Sequence, residues 1–262
     1  MILFTGHGSL HEAFSRRYDC EVVSARKLSD KDLTDALRSA AVVVHNAASL
    51  GNEGLAESVE NNFLLTKRVI DLLHAVNRES RFIYVGSMSY LQDDRHYLPF
   101  DQMTSYAYSK YLGETYCLLH AHQPMLSVRF STIFYGDPAK DGLSKLVHDA
   151  KSRQQITLIN EGVACRDFLP VNIAADYLYR FADLSISFAK KQVVNIASGT
   201  KHSFSAVAGY LTELIPALQV DHVNSNNSTP VLCDFSIDGL KEVGVIDFSL
   251  KDSIKDYWTL LP

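Results

Sequence analysis

The run "AVVVH" (41–45) decides the fold. Three consecutive valines, without the apolar–polar alternation of a half-exposed strand, suit a strand buried on both faces. Strands of that kind belong to parallel sheets covered by helices on either side. Similar runs recur at "MILF" (1–4), "CEVV" (20–23) and "RFIYV" (81–85), then at "LSVRF" (126–130) and "QVVNIA" (192–197). Longer segments with a helical period lie between the first five. In "AESVENNFLLTKRVIDLLHAV" (56–76), Val59, Phe63, Thr66, Val69, Ile70 and Leu73 share one face. This β-α-β-α order predicts an α/β fold with a doubly wound parallel sheet. Ligands of such sheets bind just beyond the carboxyl ends of the strands.

The chain has 262 residues, 47% of them hydrophobic and 21% charged. That length buries a sizeable core, as one large domain or two lobes sharing an interface. The formal net charge of −5 argues against nucleic acid or an anionic membrane as the main partner. A local basic pocket for a phosphorylated ligand remains compatible with it. No apolar run reaches the length of a membrane span, and "MILFTG" enters an apolar run with no basic segment before it. A cytoplasmic protein is expected. Cys20, Cys117, Cys165 and Cys233 form no CxxC or Cys/His ligand pattern, so free thiols and no metal are expected.

The residues after each strand carry the chemistry. In "TGHGSLHEAF" (5–14), Gly6 and Gly8 suit a tight turn that presents backbone N–H groups to a diphosphate; the plain alternative is an ordinary strand-to-helix turn. After the second strand, "EVVSARKL" (21–28) has no carboxylate for a ribose hydroxyl. It offers Arg26 and Lys27, as expected for a 2′-phosphate, or as two solvated charges. Ser87 ends the fourth strand. Tyr106 and Lys110 follow one helical turn apart in "SYAYSKYLGE" (105–114), facing the same way. A tyrosine with its usual pKa near 10 is a weak acid–base at neutral pH, and an ammonium one turn away favours its phenolate. The alternative is a core tyrosine beside a solvated lysine.

Taken together, the motifs resemble the extended short-chain dehydrogenase/reductase superfamily, in particular its NAD-dependent epimerase/dehydratase group acting on nucleotide sugars. "ILFTGHGSLH" (2–11) is similar to its glycine-rich opening and "VVVHNAAS" (42–49) to its Ala-Ala turn. "ENNFLLT" (60–66), "FIYVGSMS" (82–89) and "YAYSK" (106–110) are similar to its Asn-x-x-x-Thr, serine-bearing and Tyr-x-x-x-Lys segments. "VRFSTIFYG" (128–136), "GVACRDFLPVNIA" (162–174), "VVNIASG" (193–199) and "DFSIDGLKEVGV" (234–245) follow in family order, so the likeness spans essentially the whole chain.

The resemblance implies a Rossmann-type sheet with a small mixed α/β C-terminal substrate lobe. Residues 1–135 would be mainly the dinucleotide lobe and 136–262 mainly the substrate lobe, with segments near 166–184 and 192–198 returning to the first. It implies Ser87, Tyr106 and Lys110 as the catalytic set, and Gly6, Gly8, Ala47, Ala48, Asn62 and Lys110 at the cofactor. Thr132 and Arg166 would join Ser87 at the substrate, a guanidinium suiting a diphosphate; an Arg166–Asp167 ion pair is the alternative. Arg26 points to NADP(H), with NAD(H) as the alternative. Several positions depart from the family pattern. His11 replaces the last glycine of a turn one residue short, Thr132 replaces an asparagine, and Asn172 and Ile173 replace two acids. Met88 and Ser89 stand where a sugar dehydratase needs Asp-Glu, which leaves a 4-keto-6-deoxyhexose reductase as the first expectation. A nucleotide-sugar epimerase with bound NAD is the second, and a non-catalytic nucleotide-binding regulatory protein the third. The partners expected are a nucleotide sugar and, by family habit, a second copy of the chain in a homodimer.

Overall fold

The computed structural model describes residues 1–49, 54–94, 96–188, 191–225 and 235–261. The chain begins β1 (Ile2–Phe4), α1 (Ser9–Ser15), β2 (Glu21–Val22), α2 (Asp30–Arg38) and β3 (Val42–His45). It continues through α3 (Leu55–Ser58), a π-helical turn (Val59–Leu64), α4 (Leu65–Val76), β4 (Arg81–Ser87) and α5 (Ser105–His120). Next come β5 (Met125–Phe130), β6 (Thr132–Phe134), α6 (Gly142–Arg153), β7 (Gln155–Ile159), β8 (Cys165–Pro170) and α7 (Val171–Ala182). The remainder is β9 (Lys191–Ile196), β10 (Lys201–Ser203), α8 (Phe204–Leu214), β11 (Gln219–Val223) and α9 (Leu250–Leu260).

The main sheet has the order β2-β1-β3-β4-β5-β9, with every pairing parallel. The valine run shows why its sequence lacks alternation. Val43 packs with Leu3, Phe82 and Tyr84 against Leu33 of α2, Val69 and Leu73 of α4, and Cys117 of α5. Val42 and Val44 face the opposite core, with Phe4, Ile83 and Val128 against Phe14 of α1 and Leu178 and Phe181 of α7. Burying each such side chain is worth about 1.5–3 kcal/mol, so both faces of the sheet must be covered. The chain steps outward from β1 to β2, then crosses back over β1 to β3. That reversal opens a crevice at the carboxyl ends of β1 and β3.

Two features differ from the sequence reading. The strand expected over 20–23 contracts to Glu21–Val22, at the sheet edge. The helix expected over 56–76 is interrupted by the π-helical turn, within which Asn62 is 1% exposed. Widened turns of this kind recur at functional sites. The other strands form a sheet β10-β8-β6 and a pair β11-β7. A third core there joins Phe134, Val147, Phe168, Val207, Leu211 and Ile254. Cys20, Cys117 and Cys165 are free thiols, and Cys233 lies outside the described residues. Among the described residues, no helix is long and apolar enough to cross a membrane.

Candidate active site

A cleft of about 1020 Å³ opens beyond the carboxyl ends of the strands. It gathers seven of the residues singled out from sequence: Gly8, Ala48, Ser87, Tyr106, Lys110, Thr132 and Arg166. Gly6 lies behind the lining, where β1 and β3 converge. A Cβ on Gly6 would stand 2.9 Å from the Ala47 Cα, so glycine alone permits this approach. Asn46 Nδ2 donates to the Gly6 carbonyl at 2.9 Å and fastens the turn from the β3 side. Gly8 is the reverse case. Its missing Cβ has no neighbour within 4 Å and its backbone faces the cleft.

Thr104 caps α5, its Oγ1 accepting from the Ala107 N–H at 3.1 Å, and this starts the helix one residue before Tyr106. Lys110, one turn on, is 2% exposed. Its Nζ stands 4.3 Å from the centroid of the Tyr84 ring, while the Tyr84 hydroxyl donates to the Lys110 carbonyl at 2.9 Å. Burial lowers the Lys110 pKa to about 8. The Tyr106 phenol is hydrogen-bonded to the Ser87 hydroxyl, which favours the phenolate, but burial outweighs that bond and pushes its pKa up to about 12. This corrects the sequence expectation of a phenol held down by Lys110. Desolvation of the phenolate dominates here. Ser87 also donates to Ser89 Oγ at 2.9 Å and accepts from the Ser89 N–H at 3.1 Å, which fixes its rotamer.

Asn62 is buried below this group rather than in the cleft wall. Its Oδ1 accepts from the Ser49 N–H at 2.6 Å, and its Nδ2 donates to the Ser49 carbonyl at 3.2 Å and to Ser109 Oγ at 2.9 Å. Ser109 Oγ in turn donates to the Tyr106 carbonyl at 2.8 Å. Arg26 is exposed and outside the cleft lining, donating to the Asn61 carbonyl at 3.3 Å. Ala47 packs against the core beneath Gly6. Asp167 commits its carboxylate to the Ser198 and Gly199 N–H groups, both at 2.8 Å, and its neighbour Arg166 lines the cleft.

Sequence reasoning missed two groups. His45, fully buried, accepts at Nδ1 from Thr5 at 2.7 Å and meets Thr66 Oγ1 through Nε2 at 2.9 Å. Thr66 spends its own proton on the Asn62 carbonyl, so His45 carries its hydrogen on Nε2. Burial first, and Lys110 second, hold the His45 pKa down to about 3. The signal was present, since a polar residue closes an otherwise apolar strand. The second group is a buried ion pair behind Ser87. Glu114 takes Arg129 Nε at 2.9 Å and Nη2 at 2.5 Å, Tyr90 at 2.9 Å and Ser127 at 2.5 Å.

The cradle at Gly6, the open backbone at Gly8 and the buried ammonium of Lys110 fit a dinucleotide laid along the β1–β3 crevice. Comparison with known proteins agrees with this geometry. Residues 4–197 match the NAD dependent epimerase/dehydratase family. A Methanocaldococcus jannaschii protein, named as a candidate UDP-glucose 4-epimerase, is 27% identical over 199 residues. That match takes in 67% of this chain and 62% of the relative, less than two thirds of its length. MoeE5, solved with UDP-glucose and NAD, superposes with a TM-score of 0.81 at 18% identity, over 99% of this chain and 98% of that one. The UDP-N-acetylglucosamine 4-epimerase of Methanobrevibacter ruminantium M1, solved with UDP-N-acetylmuramic acid, gives 0.82 at 13% identity, over 98% and 96%. At such identities the structural likeness speaks for the fold alone.

Proposed function

Because the chain belongs to the NAD dependent epimerase/dehydratase family, we propose that it is a nicotinamide-dinucleotide-dependent oxidoreductase that epimerises a nucleotide-activated sugar. The observation that carries the reading is the convergence of Ser87, Tyr106 and Lys110 on one cleft with the glycine turn. A pure binding protein has no need of a phenol hydrogen-bonded to a serine beside a buried ammonium. Structural relatives that hold UDP-sugars make a UDP-sugar the first substrate to try.

In this reading Ser87 holds the reacting sugar oxygen and Tyr106 moves its proton. A phenol with pKa about 12 is protonated at neutral pH and suited to giving a proton to a carbonyl oxygen. Taking the proton from a sugar hydroxyl requires the phenolate; the Lys110 ammonium, with a pKa of about 8, is mostly charged at pH 7. A dinucleotide bound along Gly6 and Gly8 would accept and return the hydride and add positive charge beside the phenol. Gly6, Gly8 and Ala48 would position it, and Arg166 and Thr132 would hold the nucleotide sugar. Hydride return to the opposite face of the keto sugar inverts the carbon.

A second reading, reduction of a keto sugar by NADPH, is favoured by one observation. No carboxylate follows β2, and the exposed Arg26 stands there instead. One experiment separates the two. Incubation with UDP-glucose or UDP-N-acetylglucosamine and a trace of NAD yields the 4-epimer without net change at 340 nm if the protein is an epimerase. Stoichiometric loss of NADPH absorbance with a nucleotide-linked 4-keto-6-deoxyhexose, and no epimer, would overturn that in favour of the reductase.

A further inference from the structure

Lys140 bridges the mouth of the cleft. Its Nζ donates to Ser9 Oγ, on the residue after Gly8, at 2.5 Å across a sequence separation of 131. The same ammonium pairs with Asp137 Oδ2 at 3.2 Å, and the Lys140 N–H donates to the Asp137 carbonyl at 2.9 Å, so the side chain springs from a closed turn. Asp141, the next residue, turns its carboxylate away to cap α6. Its Oδ1 accepts from the Ser144 N–H at 2.7 Å, and its Oδ2 from Ser144 Oγ at 2.7 Å and from the Tyr135 N–H at 2.9 Å. Among the described lysines and arginines that line the cleft, Lys110 sits over Tyr84 on its floor and Arg166 projects from β8. Lys140 is the one bonded to the glycine turn.

We infer that Lys140 is a ligand of the cofactor's diphosphate. The inference rests on the dinucleotide reading of the cleft. Ser9 Oγ is a neutral acceptor, and a phosphate oxygen in the same reach is a charged one that makes a shorter, stronger bond. The ammonium therefore leaves or shares Ser9 when a diphosphate lies along Gly6 and Gly8. Because Lys140 leads directly into α6, whose Leu143 and Val147 belong to the third core, this contact ties that part of the molecule to the cofactor. A turn reading "TGHGS", with fewer glycines than the family pattern, thus recovers through a side chain the contact that its backbone supplies less fully.

The test is a fluorescence titration of the 262-residue protein with NADH, at low and high salt, for wild type, Lys140→Gln and Lys140→Arg. UDP binding is measured beside it by calorimetry. The side chain is 41% exposed, so all three proteins should melt within about 2 °C of one another. Lys140→Gln should raise the NADH Kd about tenfold or more and flatten its salt dependence, with UDP binding within about twofold of wild type. Lys140→Arg should recover most of the affinity. Wild-type NADH affinity in Lys140→Gln would overturn the inference. So would weakened UDP binding with NADH unchanged, which would assign the lysine to the substrate diphosphate. A wild-type protein that binds neither NADH nor NADPH would overturn the dinucleotide reading itself, an outcome seen without any variant.

Discussion

Arg129→Met should be the most costly single change near the site that leaves the cleft lining untouched. Arg129 and Glu114 have side chains only 9% and 1% exposed. The guanidinium donates Nε and Nη2 to Glu114 and a further Nη2 bond to Tyr97 at 3.0 Å, with the Tyr90 and Tyr97 rings each 5.6 Å away. Methionine fills most of the volume but leaves the Glu114 carboxylate buried with only two neutral donors, Tyr90 and Ser127. Removing one partner of a buried pair costs about 3–5 kcal/mol, or a fall of ~10 °C in Tm for a chain of this size. Glu114→Gln should cost less, because the amide oxygen still accepts from Tyr90 and Ser127, though the guanidinium loses its counter-charge. In the double variant both charges are gone. Its cost should therefore fall short of the sum of the singles by about 2–3 kcal/mol. Urea denaturation of the four proteins, followed by circular dichroism and by tyrosine fluorescence, measures the cycle. Additivity within about 0.5 kcal/mol would refute the reasoning, as would a cost below ~1 kcal/mol for Arg129→Met.

Tyr106→Phe should bind NADH within about twofold of wild type but lose roughly 10²–10⁴-fold in turnover; parallel binding and product assays check it, and retained turnover would exclude the phenol as the acid–base. His45 is held neutral, with its pKa lowered to about 3. The unfolded chain therefore binds the extra proton first, and the stability His45 contributes is full above pH ~6.5 and lost as pH falls toward 3. Relative to His45→Gln, which can keep both threonine bonds, wild type should lose up to a few kcal/mol across that window in urea titrations at stepped pH. Gly6→Ala should cost about 1–3 kcal/mol by forcing β1 and β3 apart at Ala47. Gly8→Ala, open on every side, should leave the melting temperature nearly unchanged and weaken NADH binding.

What the sequence made legible follows from the range of each signal. The main sheet was readable because its strands are buried on both faces and say so locally, as "AVVVH" does. Its one poor strand, at 20–23, is an edge strand with little to bury. Ser87, Tyr106 and Lys110 were readable because two of them share a helix turn and the third ends a strand. The pKa of Tyr106 was not readable, because the balance between burial and a nearby ammonium depends on where Lys110 points, and it points over Tyr84. Lys140 and Ser9 meet across 131 residues, and no local period encodes such a contact. The Arg26 reading rested on a strand-end position alone, and in the structure that side chain stands outside the cleft lining.

A buried hydrogen-bond chain gives the site its internal logic. Asn62 lies within the π-helical turn at Val59–Leu64 and is 1% exposed. There it completes a buried polar chain running from Thr5 through His45 and Thr66 to the Asn62 carbonyl. The Asn62 amide carries the chain on through Ser109 to the Tyr106 carbonyl. One end of that chain precedes Gly6 and the other holds the helix turn that bears the phenol. Leaving any member unpaired would strand a buried donor or acceptor, at about 1–3 kcal/mol each. The glycine turn and the Tyr106 helix are therefore held in register by the protein's own hydrogen bonds. A cofactor seated on the first would find the Tyr106 phenol already placed by the second, with little reorganisation left to supply.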